Sequence, residues 1–280
     1  MALHYGVDLG RCNPSAWRDV SQAADELGYE SVWLPEHLIF PETIDGSPDA
    51  HAGIVVSPQT PLYDPFVMLA ALAASTSRIR VGTNVYNIGL RHPFVTARAI
   101  ATLDIVSGGR VDFGIGVSWL EAEWQAVGLD FATRGARADE TIDICRRLWS
   151  EPVVAHEGRF FEFGPVVFEP KPLQSPVPLH VGGDSRAALR RSVRCAEGWL
   201  GMVQSPGTFT RSVDELRRFA DEHGRDVATL QRTAIVADPD DGARTQWADA
   251  GATRLIVAPW TRTSGALAGL RRFAEQSGIA

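Results

Sequence analysis

Eight short apolar, β-rich runs, each followed by a stretch with helical spacing, fill nearly all of the 280 residues. The runs cover 4–9, 31–34, 79–85, 111–117, 178–181, 199–203, 233–237 and 255–258. After the first comes the helical set Ala16, Trp17, Val20, Ala23, Ala24 and Leu27, with Gly28 as a stop. After the second comes a helix over 64–75. After the third, Pro93 opens a helix that Gly108 and Gly109 end. The fourth is followed by a short helix near Glu121, then a longer one with Ala138, Ile142, Cys145 and Trp149 on one face. Later helices follow over 185–196, through Val213, Leu216, Phe219 and Ala220, over 243–250, and through Leu267, Leu270 and Ala274. Repeated strand–helix units imply parallel strands with right-handed crossovers, and eight in one chain predict a closed (β/α)8 barrel spanning 1–280 as a single domain. Two segments interrupt the rhythm. Residues 40–63, rich in Pro, Gly, Asp and Ser, form an insertion after strand two; residues 151–175 form one before strand five and read as a small hairpin. An open doubly wound sheet is the alternative, but its G-x-G-x-x-G fingerprint is missing from the first turn.

Composition removes several function classes. Lys171 is the only lysine among 27 basic residues, and it sits between two prolines, so a Schiff-base or phosphate-gripping lysine is unsupported. The net charge of -7 argues against a general nucleic-acid surface. Cys12, Cys145 and Cys195 are scattered, which fits neither a disulfide framework nor a zinc site and suggests a reducing, cytoplasmic setting. Neither a basic-then-apolar leader nor an apolar run of about 18 residues occurs, so neither export nor a membrane span is expected. His4-Tyr5-Gly6 stands where barrel hydrolases carry their metal-binding His-x-His, so no metal site is predicted.

In such barrels the chemistry gathers where strands end. The candidates are Asp8; Glu36 and His37; Thr83, Asn84 and Tyr86; Gly116, Ser118 and Trp119; Gly182, Gly183 and Asp184; Met202 and Gln204; Asp238; and Trp260. One histidine among glycines and aromatics suits a large, flat, mostly apolar ligand better than a metal. His37 lies at the rim before the long insertion, which favours a role in chemistry over a hydrogen-bonded bystander. Its neighbour Glu36 either orients an imidazole or meets solvent. His4, His92 and His180 read as packing or surface residues. Gly182-Gly183-Asp184-Ser185 before a helix offers free amides and positive dipole to an anion, or is a plain turn capped by Asp184 or Ser185; both readings stay open. In either case the Asp184 side chain is expected to turn toward the helix. Gly114-Ile115-Gly116 suggests close packing inside the barrel. Arg134, Arg137 and Glu140 suggest surface ion pairs or a helix start.

Taken in order, several stretches resemble the bacterial luciferase-like flavin and deazaflavin oxidoreductases. They are 30–37 (ESVWLPEH), 76–83 (TSRIRVGT), 91–93 (RHP), 108–111 (GGRV), 114–117 (GIGV), 131–137 (FATRGAR), 178–183 (PLHVGG) and 196–199 (AEGW). The likeness runs over roughly 5–260 and is closest to the branch using the 8-hydroxy-5-deazaflavin coenzyme F420. It implies a barrel, usually a homodimer, with the coenzyme ring across the mouth and His37 beside it as the catalytic group. It also implies a backbone bulge at Thr83, Asn84 and Val85 with a cis peptide expected at Thr83–Asn84. The coenzyme's contacts would come from Asp8, Glu36, His37, Thr83, Asn84, Val85, Gly116, Val181, Gly182, Gly183, Met202, Val203 and Gln204, with its phosphate at Gly182-Gly183 and around 202–204.

Tyr86, Trp119 and Trp260, with Phe40, Ile54 and Tyr63 of the insertion, imply a small, weakly polar substrate. Sugar-phosphate members of the family carry a glutamate where this chain has Trp119 and a lysine where it has Ser205. A phosphorylated sugar is therefore disfavoured. The competing expectations are an FMN-dependent monooxygenase on the same barrel and a flavin-binding barrel without catalysis.

Overall fold

The computed structural model describes residues 3–44, 56–202 and 205–279. Val203, Gln204 and Ile54, named above, lie outside the described residues. In chain order the strands are β1 (His4–Asp8), β2 (Ser31–Leu34), β3 (Arg80–Thr83), β4 (Tyr86–Asn87), β5 (Val111–Gly116), β6 (Val154–Glu157), β7 (Glu162–Val166), β8 (Leu179–Gly182), β9 (Gly198–Gly201), β10 (Gln231–Ile235) and β11 (Arg254–Val257). The helices are α1 (Trp17–Glu26), α2 (Pro65–Ala74), α3 (Pro93–Ser107), α4 (Glu121–Ala126), α5 (Arg134–Ser150), α6 (Arg186–Cys195), α7 (Pro206–Glu222), α8 (Asp241–Asp249) and α9 (Ala266–Ser277). The ladder runs β3-β2-β1-β11-β10-β9-β8-β5, all parallel, and a β3–β5 pairing closes it. This is the (β/α)8 barrel. The 151–175 insertion contains the antiparallel β6–β7 hairpin.

Local signals explain the helix limits. Asp64 caps α2 by accepting from the amides of Phe66 and Val67. His92 caps α3, Pro93 begins it, and Gly108 at φ 69° ends it. Two expectations need correction. The third run does not continue to Val85 as one strand; it leaves the sheet after Thr83 and resumes as β4. Leu267 is not on the buried face of α9, where Gly269 and Leu270 take that side and Leu267 faces outward.

The barrel interior is filled by matching bulk to glycine. Trp33 lies inside with no exposure. A Cβ at Gly82 would sit 2.6 Å from its ring, and one at Gly6 2.7 Å from its indole nitrogen. The indole N–H donates to Ser31 Oγ at 2.8 Å. Leu200 and Ile256 complete this layer, and Val85, Met202 and Ile235 pack on it from the C-terminal side. His180 likewise fits because Gly198 opposes it. At packing densities like these, even one methyl group must displace something.

Below Trp33, at the N-terminal ends of the strands, the interior is charged. Asp112 Oδ1 accepts from Arg80 Nη2 at 2.7 Å and its Oδ2 from Arg254 Nη2 at 3.1 Å. Arg254 also binds Glu30 through Nε and Nη2 at 2.5 and 2.7 Å. His180 Nε2 lies 3.5 Å from Asp112 Oδ1, so His180 belongs to this network rather than to plain packing. Burial alone would raise the Asp112 carboxyl; Arg254, His180 and Arg80 outweigh it and hold the carboxyl well below the usual carboxylate range.

Removing this acceptor leaves Arg80 without its carboxylate and Arg254 with Glu30 alone. Asp112→Ala is expected to cost about 3–5 kcal/mol in urea unfolding at pH 7. Because the folded-state value is depressed, Asp112 contributes fully above its unfolded value of about 3.9 and loses that contribution only as pH falls toward the folded value. The gap between wild type and Asp112→Asn should therefore hold from pH 7 to about pH 5 and shrink below about pH 4.

Candidate active site

At the C-terminal end the interior turns apolar and open. After Thr83 the chain bulges, and the Asn84–Val85 peptide is cis. The expectation placed that bond one residue earlier. The Asn84 amide still belongs to the sheet, donating to Leu34 O at 2.7 Å, so the departure falls after it. Thr83 is buried and ties down the bulge, its hydroxyl donating to Gly114 O at 2.6 Å. Gly114 faces this bulge so closely that a Cβ there would meet Thr83 O at 1.8 Å. Val85 then leans over two glycines. A Cβ at Gly116 would lie 2.5 Å from one of its methyls, and a Cβ at Gly182 2.7 Å from the other and 3.4 Å from Met202 Sδ. The structure thus brings Val85, Gly116, Gly182 and Met202 into one shelf. Asn84, 8% exposed, has its carboxamide oxygen buried without a hydrogen-bond partner among the described residues. Val181 is buried in β8 beneath the shelf.

A second cluster adjoins the first through Asn87, whose Oδ1 lies 3.9 Å from the Gly116 Cβ position. The Asn87 amide N–H donates to Glu36 Oε2 at 2.9 Å, and its Nδ2 donates to Glu123 Oε2 at 3.2 Å. Glu36 is buried and paired with Arg91 Nη2 at 2.7 Å, so it does not meet solvent. Burial pushes its carboxyl up, against the pull of Arg91 and the Asn87 amide. His37, beside it, turns to the mouth. Its Nδ1 is 3.4 Å from Glu123 Oε2, and its ring touches Phe40 at 4.8 Å and Trp119 at 5.5 Å between centroids. Glu123 also accepts from the Leu38 amide and, at 3.2 Å, from the Ser118 hydroxyl. Ser118 holds the left-handed φ of 70°, uncommon for a residue with a Cβ and frequent at functional sites.

The other candidates fall elsewhere. Asp8 accepts from the Gly10 amide at 3.0 Å and lies 3.6 Å from Arg11. Trp260 donates from its indole to Arg11 O at 2.9 Å, so these two form the β1–β11 side of the rim. Tyr86 does not line the substrate side. It is buried against Phe66 and Phe113, with its hydroxyl 3.2 Å from Thr96 Oγ1, because β4 turns it toward the helix layer. At the fifth turn, Ser185 caps α6 by accepting from the Ala188 amide, and the Gly183 N–H, at φ 118°, is engaged by Leu200 O at 3.1 Å. The Asp184 carboxylate accepts from the Met202 amide rather than turning to the helix. Arg137 does not make a surface ion pair with Glu140; it donates to Gly89 O, while Glu140 accepts from the Phe160 and Phe161 amides and His156 and so anchors the β6–β7 hairpin.

Residues 4–276 match the family model described as luciferase-like monooxygenase. The chain belongs to that family. A Mycobacterium tuberculosis protein designated Rv0940c is 32% identical over 210 residues, covering 74% of this chain and 72% of the relative. Among solved structures, an F420-dependent secondary alcohol dehydrogenase holding an F420–acetone adduct superposes with a TM-score of 0.81 at 17% identity, covering 100% of this chain and 99% of the other. Monooxygenase RslO1 from Streptomyces bottropensis superposes at 0.76 with 23% identity, covering 98% of each chain. At those identities the two structures speak for the fold alone. Among the described residues, no helix is long and apolar enough to cross a membrane, and no group of three or more His, Cys, Asp or Glu could hold a metal.

Within this luciferase-like site, Glu123, Asn87 and Arg91 were not foreseen from sequence. Glu123 lies in a six-residue helix, and its partners Asn87 and His37 stand 36 and 86 residues away. Its one local signal is an acidic residue on the buried face of α4, next to Trp124. Glu36→Ala would leave the Arg91 guanidinium, only 17% exposed, without its carboxylate. The expected loss is about 3 kcal/mol, read as a lower urea midpoint at unchanged slope.

Proposed function

We propose that this chain is a coenzyme F420-dependent oxidoreductase that transfers hydride between the deazaflavin and a small organic substrate without phosphate. The observation that carries this reading is a half-buried imidazole, His37, linked through Glu123 to Asn87, whose Oδ1 lies 3.9 Å from the Gly116 Cβ position on the Val85 shelf. The shelf fits a planar heterocycle: Gly116 and Gly182 let Val85 lie flat against the strands, and the Asn84 oxygen, unpartnered among the described residues, offers an acceptor to a ring N–H. Val85, Asn84, Met202 and Gly182 would hold the ring. The first-turn amides of α6 would receive the phosphate, with Gly183 keeping the approach open. When bound, the coenzyme supplies a hydride donor or acceptor at its central ring carbon.

The protein's own part is orientation and proton handling. Phe40 and Trp119 flank the imidazole and keep water from it. His37 moves the proton at the substrate oxygen that loses or gains hydride at its carbon. Lys171 donates to the carbonyls of Leu148 and Glu151, which supports a substrate lacking phosphate.

An FMN-dependent monooxygenase is the second reading, favoured by the description of the matching family and by the likeness to RslO1. Titrating F420 and FMN separately against intrinsic tryptophan fluorescence separates the two. Tighter saturation by F420 is expected; tighter saturation by FMN would transfer the assignment to the second reading. His37→Ala should bind F420 as wild type does yet lose about 10²–10⁴ in turnover. Unchanged turnover would remove His37 from the chemistry.

A further inference from the structure

We propose that Glu123 is the positioning residue of the site: it fixes His37 as the Nδ1–H tautomer and leaves Nε2 as the atom that takes and gives the proton. The proposal rests on the reading of His37 given above.

The argument is one of donor counting. Glu123 has no exposed surface, and four groups converge on its carboxylate. The Leu38 backbone N–H can only donate, and it points at Oε1. The Asn87 side chain has Glu36 O at 3.5 Å and Glu123 Oε2 at 3.2 Å, both acceptors, so its NH₂ must face them. The Ser118 hydroxyl oxygen already accepts from the Leu120 amide at 3.1 Å, which directs its own hydrogen to Glu123. The fourth group is His37 Nδ1 at 3.4 Å. A carboxylate offers only acceptor sites, about four of them, and this one meets three committed donors. A proton kept on Glu123 would find only His37 Nδ1 as a partner. With three committed donors already on the carboxylate, its remaining acceptor site faces His37 Nδ1, and a lone pair on that nitrogen would meet the carboxylate's own, so the proton between them is placed on nitrogen. A ring nitrogen that carries a proton cannot serve as the base, and its partner Nε2 is left with the lone pair.

Two further features hold that arrangement. Phe40 and Trp119 pack against the ring, at 4.8 and 5.5 Å between centroids, and hold its plane. The left-handed φ of Ser118 brings its hydroxyl beneath Glu123. Contacts of this length at resting sites commonly tighten when substrate binds.

The test needs no bound coenzyme. Two-bond ¹H–¹⁵N spectra of ¹⁵N-histidine-labelled protein, at a pH where imidazoles are neutral, report which ring nitrogen is protonated. The His37 signals are assigned by their absence in His37→Gln. The expected spectrum shows Nδ1 pyrrole-like and Nε2 pyridine-like, with about a tenfold excess of that tautomer. In Glu123→Gln the His37 signals should collapse toward the averaged pattern of a free imidazole, and Glu123→Asp should recover part of the preference. A wild-type spectrum with Nε2 protonated, or one already averaged, would overturn the proposal, and that measurement stands even where Glu123→Gln does not fold. The coenzyme reading fails separately. Tighter FMN binding would end it and leave the tautomer result intact, whereas an Nε2–H imidazole ends the proposal whichever coenzyme binds.

Discussion

The buried carboxylate of Asp112 is the contact on which the barrel's layering depends. It draws Arg80 of β3, His180 of β8 and Arg254 of β11 to one point on β5, and Arg254 carries the link on to Glu30 ahead of β2. Strands that are distant in sequence are thereby fixed at one height. Buried ion pairs of this kind add little net stability relative to apolar packing, yet they are costly to break singly. Their effect is to specify register. The single large side chain Trp33 caps this floor of charges and separates it from the Val85 shelf above. The Arg254 guanidinium lies 5.0 Å from the Trp33 ring centroid, so the indole shields the charge and also attracts it.

What could be read from the sequence follows from range. The eight strand–helix units depend on local periodicity and on caps such as Asp64, Pro93 and Gly108, and these signals lie within a few residues of what they determine. The glycines of β3, β5 and β8 were visible as glycines, but their purpose was not. Gly82 is needed because Trp33 comes from another strand, and Gly116 because Val85 comes from a bulge. The floor network was invisible for a related reason. Arg80, Asp112 and Arg254 each look like a charged residue at the start of a strand, where exposure is the ordinary outcome. Tyr86 was assigned to the rim because the third run was read as one continuous strand to Val85. The break after Thr83 changes the side on which every later residue projects, the sensitivity expected where side chains alternate by face.

The mouth combines two kinds of construction. The shelf of Val85, Gly116, Gly182 and Met202 is defined by what is absent, since two glycine-sized gaps let one valine lie flat. The cluster of Glu36, Asn87, Arg91 and Glu123 is defined by its contacts, with both carboxylates met by several donors each. Of its groups, Arg91 Nη1 alone lacks a hydrogen-bond partner among the described atoms. The shelf can accept a ligand of given shape without polar competition. The saturated cluster cannot easily reorganise, because moving one member leaves others unpaired in a site of low dielectric.

The border between these two constructions determines where chemistry is possible. His37 has Nδ1 on the saturated side, 3.4 Å from Glu123, and its ring packed on Phe40 and Trp119. An imidazole wholly inside the network would be locked, and one wholly on the shelf would turn freely and sample both tautomers. At the border, the rigid cluster fixes the ring while the open side leaves its far nitrogen reachable. Glu36 and Glu123 both sit behind that border, 87 residues apart in sequence yet joined by the one side chain of Asn87. The two carboxylates are thus already occupied by named donors, and in the proposed reaction the imidazole is the group left to exchange a proton.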